Sequence, residues 1–102
     1  RLDPQVRDAL AGAVESMNDD SAETTAITIA SGVFVPFGHF KRWRLEPSVV
    51  LRALGETGMT VGGNDVRAQT FQHEFRGQDV AGLVLKPAFV RGLDPADFSP
   101  PG

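Results

Sequence analysis

The sequence predicts a small α+β domain, and three observations carry that expectation: a capped amphipathic helix opens the chain, two short helices sit close together in its middle, and two strand-like runs close it. The first helix starts at Asp3-Pro4. The Asp3 carboxylate can accept orphan amide hydrogens at the N-cap, and Pro4 takes the first helical position, where no donor is missed. Val6, Leu10, Ala13, Val14 and Met17 recur at helical spacing and make one apolar stripe, so the helix runs over about 4–17. The polar cluster Asn18-Asp19-Asp20-Ser21 ends it.

The β-branched run Ala26-Ile27-Thr28-Ile29-Ala30 leads through Ser31-Gly32 into Val33-Phe34-Val35-Pro36. This reads as one strand, bent or turned at Gly32 and stopped at Pro36, because proline cannot donate to the ladder. Phe37, Phe40 and Trp43 then recur every three residues along one face of a short helix, and Arg44-Leu45-Glu46 is a tight link. Pro47 opens the next helix, which turns Val50, Ala53 and Leu54 inward and ends at Gly55 or Gly58. Met59-Thr60-Val61 resumes an extended path, and Gly62-Gly63-Asn64-Asp65 is a turn. The runs 66–75 and 80–85, joined at Arg76-Gly77-Gln78-Asp79, form a hairpin in which Phe71, His73 and Phe75 alternate with Gln72 and Glu74 at the period of a half-buried strand. After Lys86-Pro87, the residues Phe89, Val90 and Leu93 suit a short docking segment. The order helix-strand-helix-helix-strand-strand is that of the winged-helix variant of the helix-turn-helix. It places a single winged-helix-like domain over 1–93 and a flexible tail over 94–102.

Composition agrees with one folded unit. The 102 residues, 41% hydrophobic and 23% charged, suffice for a single core and lie far from the signature of disorder. There is no cysteine, which removes disulfides and thiolate metal sites and fits a reducing, cytoplasmic setting. No apolar run approaches the roughly 18 residues of a membrane span, and no charged region precedes an apolar one at the start, so neither membrane insertion nor secretion is expected. A start at Arg1 and a close on Ser99-Pro100-Pro101-Gly102 read as a piece cut from a longer protein. The net charge of −3 lacks the basic surplus of a general nucleic-acid binder, but it is unevenly spread. Acid sits mostly at the ends, foremost in Asp3, Asp8, Glu15, Asp19, Asp20 and Glu23, while the middle holds Lys41, Arg42, Arg44 and Arg52 against Glu46 and Glu56.

Residues 32–87 carry a further pattern: Val35-Pro36, then His39-Phe40-Lys41-Arg42-Trp43, then Glu46-Pro47 leading into a helix with Leu54, and finally Gly82-Leu83-Val84-Leu85. This stretch, a little over half the chain, resembles the C-terminal winged-helix-like domain of TraI-type (MobH-like) conjugative relaxases. The joint spacing is more specific than any single motif. The resemblance implies a non-catalytic accessory part in conjugative DNA transfer, the nicking chemistry belonging to a separate N-terminal domain. No catalytic residue carries over.

The residues themselves also point away from chemistry. His39 and His73 have no second ligand at metal spacing, and His39 is expected at the start of the aromatic turn, either exposed or capping it, while His73 shares a strand face with Phe71 and Phe75. None of Ser16, Ser21, Ser31, Ser48 and Ser99 lies in a nucleophile elbow, and Asp19-Asp20 reads as a solvated turn. The glycines at 55, 58, 62 and 63 lack the lysine of a phosphate loop. Phe37, Phe40 and Trp43 read as core rather than as a platform for bases. No cofactor, metal or small-molecule substrate is expected. The candidate site is basic: Lys41, Arg42 and Arg44, then Ser48 and Arg52 on the exposed face of the following helix, and Arg76 at the hairpin tip. Its partner is DNA, held weakly and without sequence preference, or another protein of the transfer machinery. The bland reading of Arg52 is a solvated pair with Glu56, contributing about 0.3–0.5 kcal/mol.

Overall fold

A computed structural model of the chain describes residues 3–17, 24–56 and 68–93. Helix α1 (Pro4–Ser16) begins as the N-cap chemistry requires, with the Gln5 amide donating to the Asp3 carboxylate at 2.8 Å. Val6, Ala9, Leu10 and Ala13 form its buried stripe. Ser16 closes it by turning its hydroxyl back to the Ala13 carbonyl at 2.8 Å and accepting the Thr25 amide at 3.1 Å, which ties the helix end to the segment entering the sheet.

The run expected as one bent strand is a hairpin. Strands β1 (Ile27–Ile29) and β2 (Gly32–Pro36) reverse through Ala30 and Ser31, so that Ile27 faces Phe34 and Ile29 faces Gly32. Gly32 makes the reversal possible. Its φ is +143°, and a Cβ there would lie 2.0 Å from the Leu85 carbonyl oxygen. Helix α2 (Phe37–Arg42) follows directly from Pro36, the last residue of β2, and a four-residue link separates it from helix α3 (Pro47–Glu56). Helix α3 runs through Gly55, so Gly55 does not terminate it, and Gly58 lies outside the described residues, as do 18–21, the segment 59–65 and the tail 94–102.

Strands β3 (Ala68–Phe75) and β4 (Gln78–Leu85) form the expected hairpin with a tighter turn than the sequence suggested. Only Arg76 and Gly77 lie in it, while Gln78 and Asp79 pair with Phe75 and Glu74. Both turn residues have positive φ, +55° and +81°, the type I′ geometry whose twist matches paired strands. The sheet order is β1-β2-β4-β3, antiparallel throughout, with β2 and β4 at its centre.

Alternation along these central strands creates two faces. Val33, Val35, Leu83, Leu85 and Ala68 join Val6, Leu10, Phe40, Leu45, Val50 and Leu54 in one core beneath the helices. Phe34 and Val84 are also buried but lie outside that core, on the opposite face. The docking segment is helix α4 (Pro87–Arg91), which packs on β2 and adds Val90 and Leu93 to the core. Among the described residues, no helix is long and apolar enough to cross a membrane.

Gly82 is a second close approach between the two central strands, where a Cβ would meet the Val35 carbonyl oxygen at 2.4 Å and the Phe34 ring at 2.8 Å. Substitution Gly82→Ala should therefore lower unfolding free energy by about 1–3 kcal/mol, read from the urea midpoint, whereas Gly38→Ala, which meets nothing within 4 Å, should leave that midpoint almost unchanged.

Candidate nucleic-acid interface

The short helix α2 carries Lys41 and Arg42, and Arg44 follows its C-cap. Phe40 is fully buried, Phe37 packs half-buried against the core, and Trp43 is 36% exposed, so this aromatic face is largely interior, as its spacing suggested. The helix closes in a Schellman arrangement: the Leu45 amide donates to the Phe40 carbonyl at 2.8 Å and the Arg44 amide to the Lys41 carbonyl at 2.9 Å. Leu45 is buried, as that motif prefers. Arg44 occupies the left-handed position with φ +59°, usually held by glycine. Lys41, Arg42 and Arg44 are consequently all exposed on one turn of chain.

His39 departs from expectation. It is neither exposed nor a cap: only 7% of its surface is accessible, and its Nε2 lies 2.8 Å from the Ala9 carbonyl oxygen in the middle of α1. A carbonyl can only accept, so Nε2 carries the proton and donates. Nδ1 is buried with no hydrogen-bond partner. The ring is wedged edge-on against Phe40 at 5.4 Å and beside Trp43 at 6.1 Å. Burial lowers its pKa from the ordinary value; the Ala9 hydrogen bond opposes this, and the positive charge of Arg42 adds to it.

Of the six predicted site residues, Arg42 and Arg76 share one groove, Arg52 lines another, and Lys41, Arg44 and Ser48 line neither. Arg42 from α2 and Arg76 from the hairpin tip line one groove of about 190 Å³, together with Thr24, Thr25, His39 and Phe75. The Arg76 guanidinium donates to the Thr24 carbonyl and lies 5.2 Å from the centre of the Phe75 ring, a cation–π distance. Arg52 belongs elsewhere, in a shallow groove of about 280 Å³ between α3 and the start of α1, lined also by Asp3, Gln5 and Val49. Ser48 is exposed on α3, one turn before Arg52.

One feature of this surface escaped the sequence reading. Phe71, His73 and Phe75 do share a face, but it is the one turned away from the helices, and Phe71 is 43% exposed. The His73 and Phe75 rings rest on the buried Phe34 ring, at 5.3 and 6.5 Å. Alternation announces such a face without saying which layer, if any, covers it. Among the described residues no cluster of three potential metal ligands occurs. Comparison with protein-family models, with curated proteins and with solved structures finds no significant match to this chain.

Two outcomes are expected from this geometry. Because the folded pKa of His39 lies below the unfolded value of about 6.5, the unfolded chain binds the extra proton first. Stability should thus be complete above pH 6.5 and fall as pH drops below it, and His39→Gln should flatten that dependence in urea titrations between pH 7.5 and 5.5. Arg44→Gly, relieving a left-handed non-glycine residue, should raise the unfolding free energy by about 1 kcal/mol.

Proposed function

We propose that this chain is a winged-helix-type, cytoplasmic, non-catalytic domain that holds DNA weakly and without sequence preference, as an accessory part of a conjugative relaxase. The observation that carries the binding is the meeting of Arg42 and Arg76 in one groove, Lys41 and Arg44 being exposed on the same turn of chain as Arg42. Two guanidinium groups from distant parts of the chain repel one another, and an anionic backbone entering between them relieves that repulsion. Both turn arginines support the same reading. Arg44 and Arg76 stand at left-handed positions where glycine or asparagine costs less, which suits selection for charge rather than for backbone fit.

The winged-helix assignment is supported by connectivity. Setting β1 and α4 aside leaves helix, strand, helix, helix, strand, strand, with the first strand pairing the last and the last pairing the middle one. The relaxase assignment rests on the resemblance over residues 32–87. Weakness follows from the small number of cations. Four phosphate contacts would give a salt dependence with a logarithmic slope of about −3 to −4. A second reading, docking of another transfer protein or self-association, is favoured by the exposed apolar side chains Trp43 (36%) and Val49 (41%) near the helix pair.

Fluorescence anisotropy with single- and double-stranded oligonucleotides at two salt concentrations separates these readings. Binding at low salt should weaken steeply as salt rises, and the pair Lys41→Glu and Arg42→Glu should reduce it by tenfold or more, on the order of 1.4 kcal/mol. Arg76→Asn should stabilise the turn while weakening binding, a combination that loss of folding cannot imitate. Absence of binding to either probe at low salt would overturn the proposal, and a dimer in sedimentation would then favour the second reading.

A further inference from the structure

We infer that the outer face of β3 is a stacking platform for unpaired bases, so that the nucleic acid this domain prefers is single-stranded. The inference rests on the nucleic-acid reading above and specifies its ligand. Phe71, His73 and Phe75 occupy successive same-face positions on an edge strand, two residues apart, with the Phe71 and His73 ring centres separated by 6.2 Å. The row is held from beneath. Gly82, which faces Phe71 across the ladder, has no side chain, and the Phe34 ring fills the space its Cβ would need, supporting His73 and Phe75. The His73 and Phe75 rings, backed by the buried Phe34 ring, are ordered before any ligand arrives, which reduces the entropy lost on binding.

Charge selects the occupant. The row ends at Arg76, whose guanidinium lies over Phe75 and lines the groove that also holds Arg42. Phosphates of a strand whose bases lie along the row therefore meet cations at its end. The carboxylates of the hairpin, Glu74 and Asp79, face one another across the ladder on the opposite side of the sheet. Gln69, Gln78, Val80 and Val84, the other residues of β3 and β4 on the aromatic side, are neutral. A duplex keeps its base faces stacked inside, so only unpaired bases can use this row.

The test compares an oligothymidylate with a duplex of equal length, at low salt, on the full chain. Phe71 is exposed enough that Phe71→Ala should leave folding intact, checked by circular dichroism. The expected result is tighter binding of the single strand by the unaltered chain, a loss of about tenfold for the single strand in Phe71→Ala with duplex binding unchanged, and retention of single-strand binding in Phe71→Trp, whose added fluorescence is quenched by the bases. If Lys41→Glu and Arg42→Glu weaken both probes while Phe71→Ala weakens neither, the platform is wrong and the basic groove stands. If neither probe binds, the nucleic-acid reading itself fails. A dimer that Phe71→Ala converts to monomer assigns the face to a second copy and overturns the inference.

Discussion

The pairing of β2 with β4 is the constraint on which the rest of the molecule depends. It joins Val33 to Leu85 and Pro36 to Gly82 across some fifty residues of chain, and every layer is assembled on it. Each residue of β2 is buried. Its odd positions face the helices and Phe34 faces the other way, so a slip of one residue would carry Val33 and Val35 out of the core together. Burial of each such side chain contributes roughly 1.5–3 kcal/mol, which makes the register costly to change. The same pairing requires two glycines. Gly32 admits the Leu85 carbonyl, and Gly82 admits the Phe34 ring.

This pairing also brings the basic groove together. The hairpin extends past the end of β2, where the chain turns into α2, so its tip arrives next to Gly38, His39 and Arg42. Arg42 and Arg76 lie far apart in sequence and become neighbours only because Pro36 and Gly82 are in register. His39 secures α2 from the other side. Its donation to the Ala9 carbonyl fastens that helix to α1, and a charged imidazole beside Arg42 in that position would cost both desolvation and repulsion. The groove is thereby lined by Arg42, by Arg76 held at the Thr24 carbonyl, and by an imidazole whose charged form burial disfavours.

The charge of the whole chain, −3, conceals this local arrangement. Acidic residues of the first helix, Asp8 and Glu15, belong to an element whose inner stripe is consumed by the core, while Arg42 and Arg76 meet between α2 and the hairpin tip and Lys41 and Arg44 are exposed on the chain next to Arg42. At physiological ionic strength, exposed charges more than about 8 Å apart are largely screened, so the local cluster matters more to an approaching polyanion than the total.

Much of this was legible from local chemistry. The N-cap at Asp3 and Pro4, the stripe of α1, the break at Pro36, the helix start at Pro47 and the place of the last hairpin's turn within 76–79 are all set by contacts within a few residues, and the sequence displays them directly. The basic candidates were legible as residue types. What needed the tertiary structure was every decision between faces and between neighbours. The reversal at Gly32 depends on where Leu85 and Pro87 lie, the burial of His39 on the Ala9 carbonyl of another helix, and the separation of Arg52 from Arg42 and Arg76 on how α3 packs beside the start of α1. A period of two residues establishes that Phe71, His73 and Phe75 share a side of β3. Which side the helices cover is set by the pairing of β4 with β2, a contact between residues distant in the chain, and no local pattern encodes it.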